Sequence, residues 1–244
     1  MMRDVMDINL QVDYLGRKYE NPLFLCPTGV LQLAHPKADA GVAAAASRLK
    51  IPMIFSNQAS RSMEETAEVM GNAPRFFQLY WSKSDELVTS FLECAKKCGC
   101  HAIVVTLDTT LLGWRIRELL YSYLPFLYAD GIAQYTSDPV FNKIVEWEYI
   151  GASTPRPGRP SLKMIQALYK MAKNFPGSTR TNFRTQKPLK SIRKFLDVFM
   201  RPSLQWSDLT RLRQMTDLPI ILKGIQLSMM QKNIGQWSEC DHGF

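Results

Sequence analysis

Long apolar runs are missing from this chain, as are most of the short motifs that betray a chemistry. No hydrophobic stretch approaches the roughly 20 residues that a membrane-spanning helix needs. The start, Met1-Met-Arg-Asp-Val-Met-Asp7, carries acids where a secretory leader has a basic region followed by an apolar one, so a cytoplasmic protein is expected. There is no G-x-G-x-x-G, no P-loop and no G-x-S-x-G nucleophile elbow. His35, in a loop just before a predicted helix, reads as a capping or surface residue rather than a base.

Cysteine is present in an odd number, five, in a chain of 244 residues that needs no disulfide staples. Cys94, Cys98 and Cys100 sit close together beside His101, but no second cluster completes a set of four ligands. Reduced, partly buried thiols are expected there and no metal site. Acids are nearly absent from residues 151–205, where twelve basic side chains face the single Asp197. That segment carries +11 of a chain whose net charge is +8, which leaves −3 for the rest. It also holds six prolines, and reads as a surface insertion with helices near Ser161–Asn174 and Ser191–Phe199. Its charges imply a solvated excursion held off the core. The competing reading is a non-enzymatic basic protein that binds an anionic surface, such as a membrane or an acidic subunit, through this segment. Nucleic acid is not expected, because regular basic-and-aromatic interleaving is missing.

What the chain does have is a series of short apolar runs: Pro22–Pro27, Ile51–Ser56, Arg75–Tyr80, Ala102–Thr106 and Leu218–Lys223. Continuous apolar runs of this length read as strands buried on both faces of a parallel sheet or barrel. The first four alternate with helix-length stretches at Ala38–Leu49, Met63–Met70 and Ser84–Cys98, the rhythm of an α/β protein. Ser56, Gln78, Tyr80, Thr106 and Lys223 fall at or near the C-terminal ends of their runs, the rim on which a (β/α)₈ barrel assembles its chemistry. The expected fold is therefore an incomplete (β/α)₈ TIM barrel with about five of eight strands. Residues 114–217 form a long insertion after the fourth strand, with a short helix near Ser207–Thr216.

Several of these pieces share an order and spacing with one family. Pro27-Thr28-Gly29, Ser56–Ser60, Arg75–Tyr80, Thr106–Arg115 with its Leu-Gly-Trp-Arg ending, and Leu218–Gly224 together resemble the FMN-dependent α-hydroxy acid oxidases and dehydrogenases. Leu112–Arg115 and Gly131–Pro139 look most like the lactate 2-monooxygenase branch. The resemblance covers about Arg3 to Gln226. It implies FMN as cofactor and a small 2-hydroxy acid, lactate first, as substrate, with homo-oligomers among full-length relatives.

The resemblance also implies roles. Lys223 would place a fixed positive charge by the flavin's N1–C2=O; on chemistry alone it is also an ordinary lysine reaching to water. Arg115 would grip the substrate carboxylate with its guanidinium fork, although Arg117 and Glu118 nearby keep a surface ion pair open. Gln78 and Tyr80, two apart on one strand, face the same side; the amide would meet the flavin's pyrimidine edge and the phenol the substrate. Thr106 and Ser56 would donate to the ring's O2 and N3, or simply cap the following turns. Pro27, Thr28 and Gly29 would set the backbone against the reactive face of the flavin.

After Gln226 the likeness is expected to end. The family's Ser-Asn-His-Gly-Gly-Arg, with its base and carboxylate-binding arginine, has no counterpart here, and His242 in Cys240-Asp-His-Gly243 lacks the apolar strand that should precede it. Residues 227–244 read as a non-family, frameshifted tail. The region before the first strand is also short against the family. An inactive, truncated member is the expectation.

Overall fold

A computed structural model describes residues 9–121, 123–148 and 162–225. It opens with a β-hairpin of β1 (Val12–Tyr14) and β2 (Arg17–Tyr19), paired antiparallel with Val12 opposite Tyr19 and Tyr14 opposite Arg17. The two-residue loop holds Leu15 at φ 52° and Gly16 at φ 68°. A turn with both central residues at positive φ matches the strand twist, and glycine takes up half of that cost.

The main sheet follows: β3 (Met53–Phe55), β4 (Arg75–Leu79), β5 (Ile103–Thr106) and β6 (Ile220–Lys223), all parallel in that order. The expected first strand, Pro22–Pro27, is reduced to one parallel bridge: Leu25 donates its N–H to Pro52 (2.8 Å) and accepts from Ile54 (3.0 Å). Two prolines among its six residues remove ladder donors, which explains so short a contact. The crossovers carry α1 (Ala38–Leu49), α2 (Met63–Met70) and α3 (Asp85–Lys97). Ser62 and Ser84 cap α2 and α3 by accepting from Glu65 N and Leu87 N; such caps are worth ~1 kcal/mol each.

Between β5 and β6 come α4 (Ile116–Leu120), α5 (Ala133–Ser137), α6 (Pro139–Glu148), α7 (Leu162–Asn174), α8 (Thr179–Thr185), α9 (Lys187–Val198) and α10 (Trp206–Met215). Its described residues from 162 onward are not a solvated excursion, which corrects the sequence expectation for them. Ile192, Phe195, Val198 and Phe199 are buried, and Phe195 packs on Tyr135 at 4.8 Å and Phe126 at 5.1 Å between ring centroids. Apolar residues three and four apart give α9 a buried stripe; of its basic residues Arg193 is exposed, Lys187 and Lys190 are half-buried, and Lys194 is buried with its ammonium on Asp197 at 3.2 Å. Net charge described the polar face and hid the apolar one.

Strand side chains alternate between two cores. Met53, Phe55, Phe77, Leu79, Ile103 and Val105 face the helices. Ile54, Phe76, Ala102, Val104 and Ile221 face the other way, where Tyr19 and Val12 of the hairpin and Phe24 cover them from below. That second face is the interior of a barrel sector, and the hairpin is its floor. Among the described residues β6 has β5 as its one neighbour, and its four residues are only half-buried.

Candidate active site

The inner face decides where the rim residues point. Alternation along β3, β4, β5 and β6 puts Ser56, Gln78, Thr106 and Lys223 on that face, each at or near the end of its strand. Register fixes their heights. Phe55 pairs with Phe77 and Leu79 with Val105, so Thr106 stands one pleat above Gln78, while Thr106 and Lys223 are direct partners.

A chain of hydrogen bonds links them. Gln58 N donates to Ser56 Oγ (3.1 Å), which donates to Gln78 Oε1 (3.4 Å), and Gln78 Nε2 donates to Thr106 Oγ1 (3.0 Å). Every donor runs toward Thr106, whose own hydroxyl hydrogen remains for a further acceptor. Ser56, Gln78 and Thr106 are all nearly fully buried, so this polar row is enclosed rather than washed by water. Lys223 Nζ reaches Asp108 at 3.1 Å, with both side chains part-exposed. Gly224 turns the chain just beyond it at φ +100°, so close that a Cβ there would lie 2.6 Å from that of Asp108.

The remaining sequence candidates lie around this row. Tyr80 follows β4 and is half-buried. Pro27, Thr28 and Gly29 form the loop after the Leu25 bridge, with Thr28 Oγ1 donating to Cys26 O and Gly29 lying against Gln58. Arg115 lies outside the row: its Nη1 is paired with Glu118 at 2.9 Å in the exposed stretch after β5. His35 accepts from Lys37 N through Nδ1 and is exposed, as its capping reading predicts. His242 and the tail lie outside the described residues.

Three residues were not singled out from sequence. Asn57 is fully buried; Tyr135 donates to its Oδ1 (2.7 Å) while its Nδ2 has no partner. Gln134 holds the β3 terminus from the other side, donating to Ser56 O and accepting from Met63 N. Asp108 is the third. Their only sequence signal is adjacency to Ser56, Thr106 and the Gly131–Pro139 stretch. Burial pushes the Tyr135 phenol strongly up, so it stays a neutral donor to Asn57.

The donor set fits a flat, acceptor-rich ring. An unspent Thr106 hydroxyl and the Lys223 ammonium lie along one rim, while the orphaned amide hydrogen of Asn57 is buried beside Tyr135, where a donor without an acceptor costs about 1–3 kcal/mol. Among the described residues no group of His, Cys, Asp or Glu is arranged to hold a metal ion, and no helix is long and apolar enough to cross a membrane. A parallel barrel sector with a polar strand-end rim defines a cofactor-binding α/β barrel protein.

The relationship can be stated more narrowly. The sequence profile of the FMN-dependent dehydrogenases matches residues 1–232, running slightly past Gln226, and this chain belongs to that family. An FMN-dependent alpha-hydroxy acid dehydrogenase of Schizosaccharomyces pombe is 34% identical over 221 residues, 89% of this chain and 47% of the relative. The L-lactate oxidase of Lysinibacillus sphaericus is 28% identical, covering 92% of this chain and 48% of its own length. In fold, a crystal structure of mandelate oxidase with (S)-4-hydroxymandelic acid superposes with TM-score 0.65 at 23% identity, over 97% of this chain and 54% of that one. The chain thus spans about half the length of the relatives it matches. Its fold is an incomplete TIM barrel and its family cofactor is FMN.

Proposed function

We propose that these residues supply part of the active site of an FMN-dependent enzyme that oxidises a small L-2-hydroxy acid, lactate first, to the 2-oxo acid or its decarboxylated product. The observation that carries the reading is the enclosed donor chain from Ser56 through Gln78 to Thr106, ending beside Lys223. FMN, when bound, supplies the two-electron acceptor. Lys223 would place a fixed positive charge where negative charge develops on reduction, and Thr106, Gln78 and Ser56 would satisfy the polar edge of the ring. The Pro27–Gly29 backbone borders the reacting face. Tyr80 and Arg115 orient the substrate, Arg115 exchanging Glu118 for the substrate carboxylate; the pair it leaves is exposed and worth little.

No described histidine stands at this rim: His35 caps a turn and His101 lies at the opposite end of the strands. Loss of a positioned acid–base group typically lowers rate by about 10²–10⁴. The 244-residue chain by itself should therefore leave L-lactate unoxidised. The test is an FMN titration followed by a turnover assay. Thr106→Val and Gln78→Leu should weaken flavin binding several-fold. Flavin binding indifferent to both would sink the site assignment, and turnover well above free flavin, lost in Lys223→Ala, would show that these residues suffice.

A further inference from the structure

The other end of the strands carries a second polar site, which none of the rim chemistry uses. A cavity of ≈640 Å³ lies between the floor hairpin, the end of α1 and the start of β5, bordered by Arg17, Lys18, Tyr19, Lys50, Asn72 and His101. Glu20 is the one acid in its wall, and it is tied to Lys50 at 2.6 Å. Three cations against one carboxylate leave the cavity at +2.

His101 fixes where the protons are. Arg17 Nη1 lies 3.2 Å from His101 Nε2, and Tyr19 Oη lies 3.1 Å from His101 Nδ1. A guanidinium only donates, so Nε2 must accept and carries no hydrogen. The ring is then the neutral tautomer with its hydrogen on Nδ1, which it gives to Tyr19 Oη. The phenolic hydrogen of Tyr19, a residue only 5% exposed, is left without an acceptor among the described residues. Burial, together with Arg17 and Arg75, holds the imidazole down to about 4, so this arrangement persists at neutral pH. A buried phenol, an exposed guanidinium and two exposed ammonium groups thus border a space much larger than a water molecule, with a charge of +2 to be met.

We propose that this floor cavity is an anion site that takes a phosphate dianion, either free phosphate or the phosphate group of a small monoester, through Arg17, Lys18, Lys50 and the Tyr19 hydroxyl. A tetrahedral dianion matches both the charge and the donor count, and Arg17 meets phosphate oxygens with its fork. Because the ligand would touch β2, the end of α1 and the loop before β5, it would fasten the hairpin to the sheet and stabilise the folded chain in proportion to its occupancy.

The experiment is calorimetric titration of the full chain with inorganic phosphate and, separately, with glycerol phosphate, at low ionic strength and without FMN, the two floor variants below separating this cavity from any phosphate site at the rim. Wild type should bind one equivalent at the most and melt at higher temperature with phosphate. Lys50→Glu, an exposed charge reversal that spares the packing, should weaken binding at least tenfold. Tyr19→Phe, which keeps the buried ring and deletes only the hydroxyl, should weaken it several-fold. Tighter binding of glycerol phosphate than of free phosphate assigns the ligand to a monoester, and equal or weaker binding of it assigns the ligand to free phosphate. No binding to the wild type at millimolar phosphate, or binding unaltered in both variants, overturns the proposal.

Discussion

Individual residues here are held by distant neighbours, and two of them report it. Gly224 sits at φ +100° with Asp108 Cβ, Cγ and N all within 2.9 Å of where a side chain would start. Gly224→Ala should cost about 1–3 kcal/mol from backbone strain alone, with the clash adding to it, and should break the Lys223–Asp108 contact. Urea denaturation checks the first effect, and a loss of flavin affinity the second. His101 gives a pH signature. Its imidazole is held from 6.5 down to about 4 by burial, by Arg17 from the hairpin and by Arg75 from β4, with Tyr19 as its neutral partner. Between those two values the unfolded chain takes up a proton that the folded chain refuses. The stability this contributes is therefore complete above about pH 6.5 and is lost as pH falls toward 4. His101→Asn should flatten that part of the denaturation profile; an unchanged slope would mean the imidazole is not excluded from protonation. The rim polar residues were legible in sequence because each closes an apolar run. Asn57 and Asp108 were not, since their importance rests on Tyr135 and Lys223, 78 and 115 residues away.

At the scale of elements, the apolar runs and the helix-length stretches between them mark β3 to β6 and α1 to α3 almost to the residue, and α10 at Trp206–Met215 lies one residue from its expected place. Two elements depart. The Pro22–Pro27 run contributes a single bridge because proline cannot donate to a ladder. Helix α9 enters the core despite its charge, because its apolar stripe is wide enough to pay the entropy of ordering it. Phe195 is fully buried and stacks on Phe199 at 4.6 Å between centroids. Phe195→Ala should destabilise the chain by about 3–5 kcal/mol, measured by thermal or chemical unfolding. A loss under 1 kcal/mol would show α9 to be an independent excursion after all.

For the molecule as a whole, the decisive feature is the half-covered inner face. Ile54 and Ile221 are only half-buried there, and β6 pairs on one side among the described residues. Exposed apolar surface beside an unpaired strand edge favours association. The 244-residue chain should therefore self-associate with concentration in sedimentation experiments, and Ile221→Lys should reduce that association. A monomer at all concentrations would mean that this face is covered.

Local sequence suffices for the strand–helix alternation, the parallel class of sheet and the polar residue at or near each strand end. All of these follow from local properties: length of an apolar run, helix caps, and a side-chain period of two. The sequence also carries family membership, through five pieces in register. Strand neighbours emerge only in the folded chain, and with them the single directed hydrogen-bond chain through Ser56, Gln78 and Thr106. Only folding placed α9 in the core, and only folding joined Arg17, Tyr19 and His101 into a site at the floor. Strand neighbours, hydrogen-bond direction and tautomer depend on contacts between residues far apart in the chain, and no local pattern encodes them.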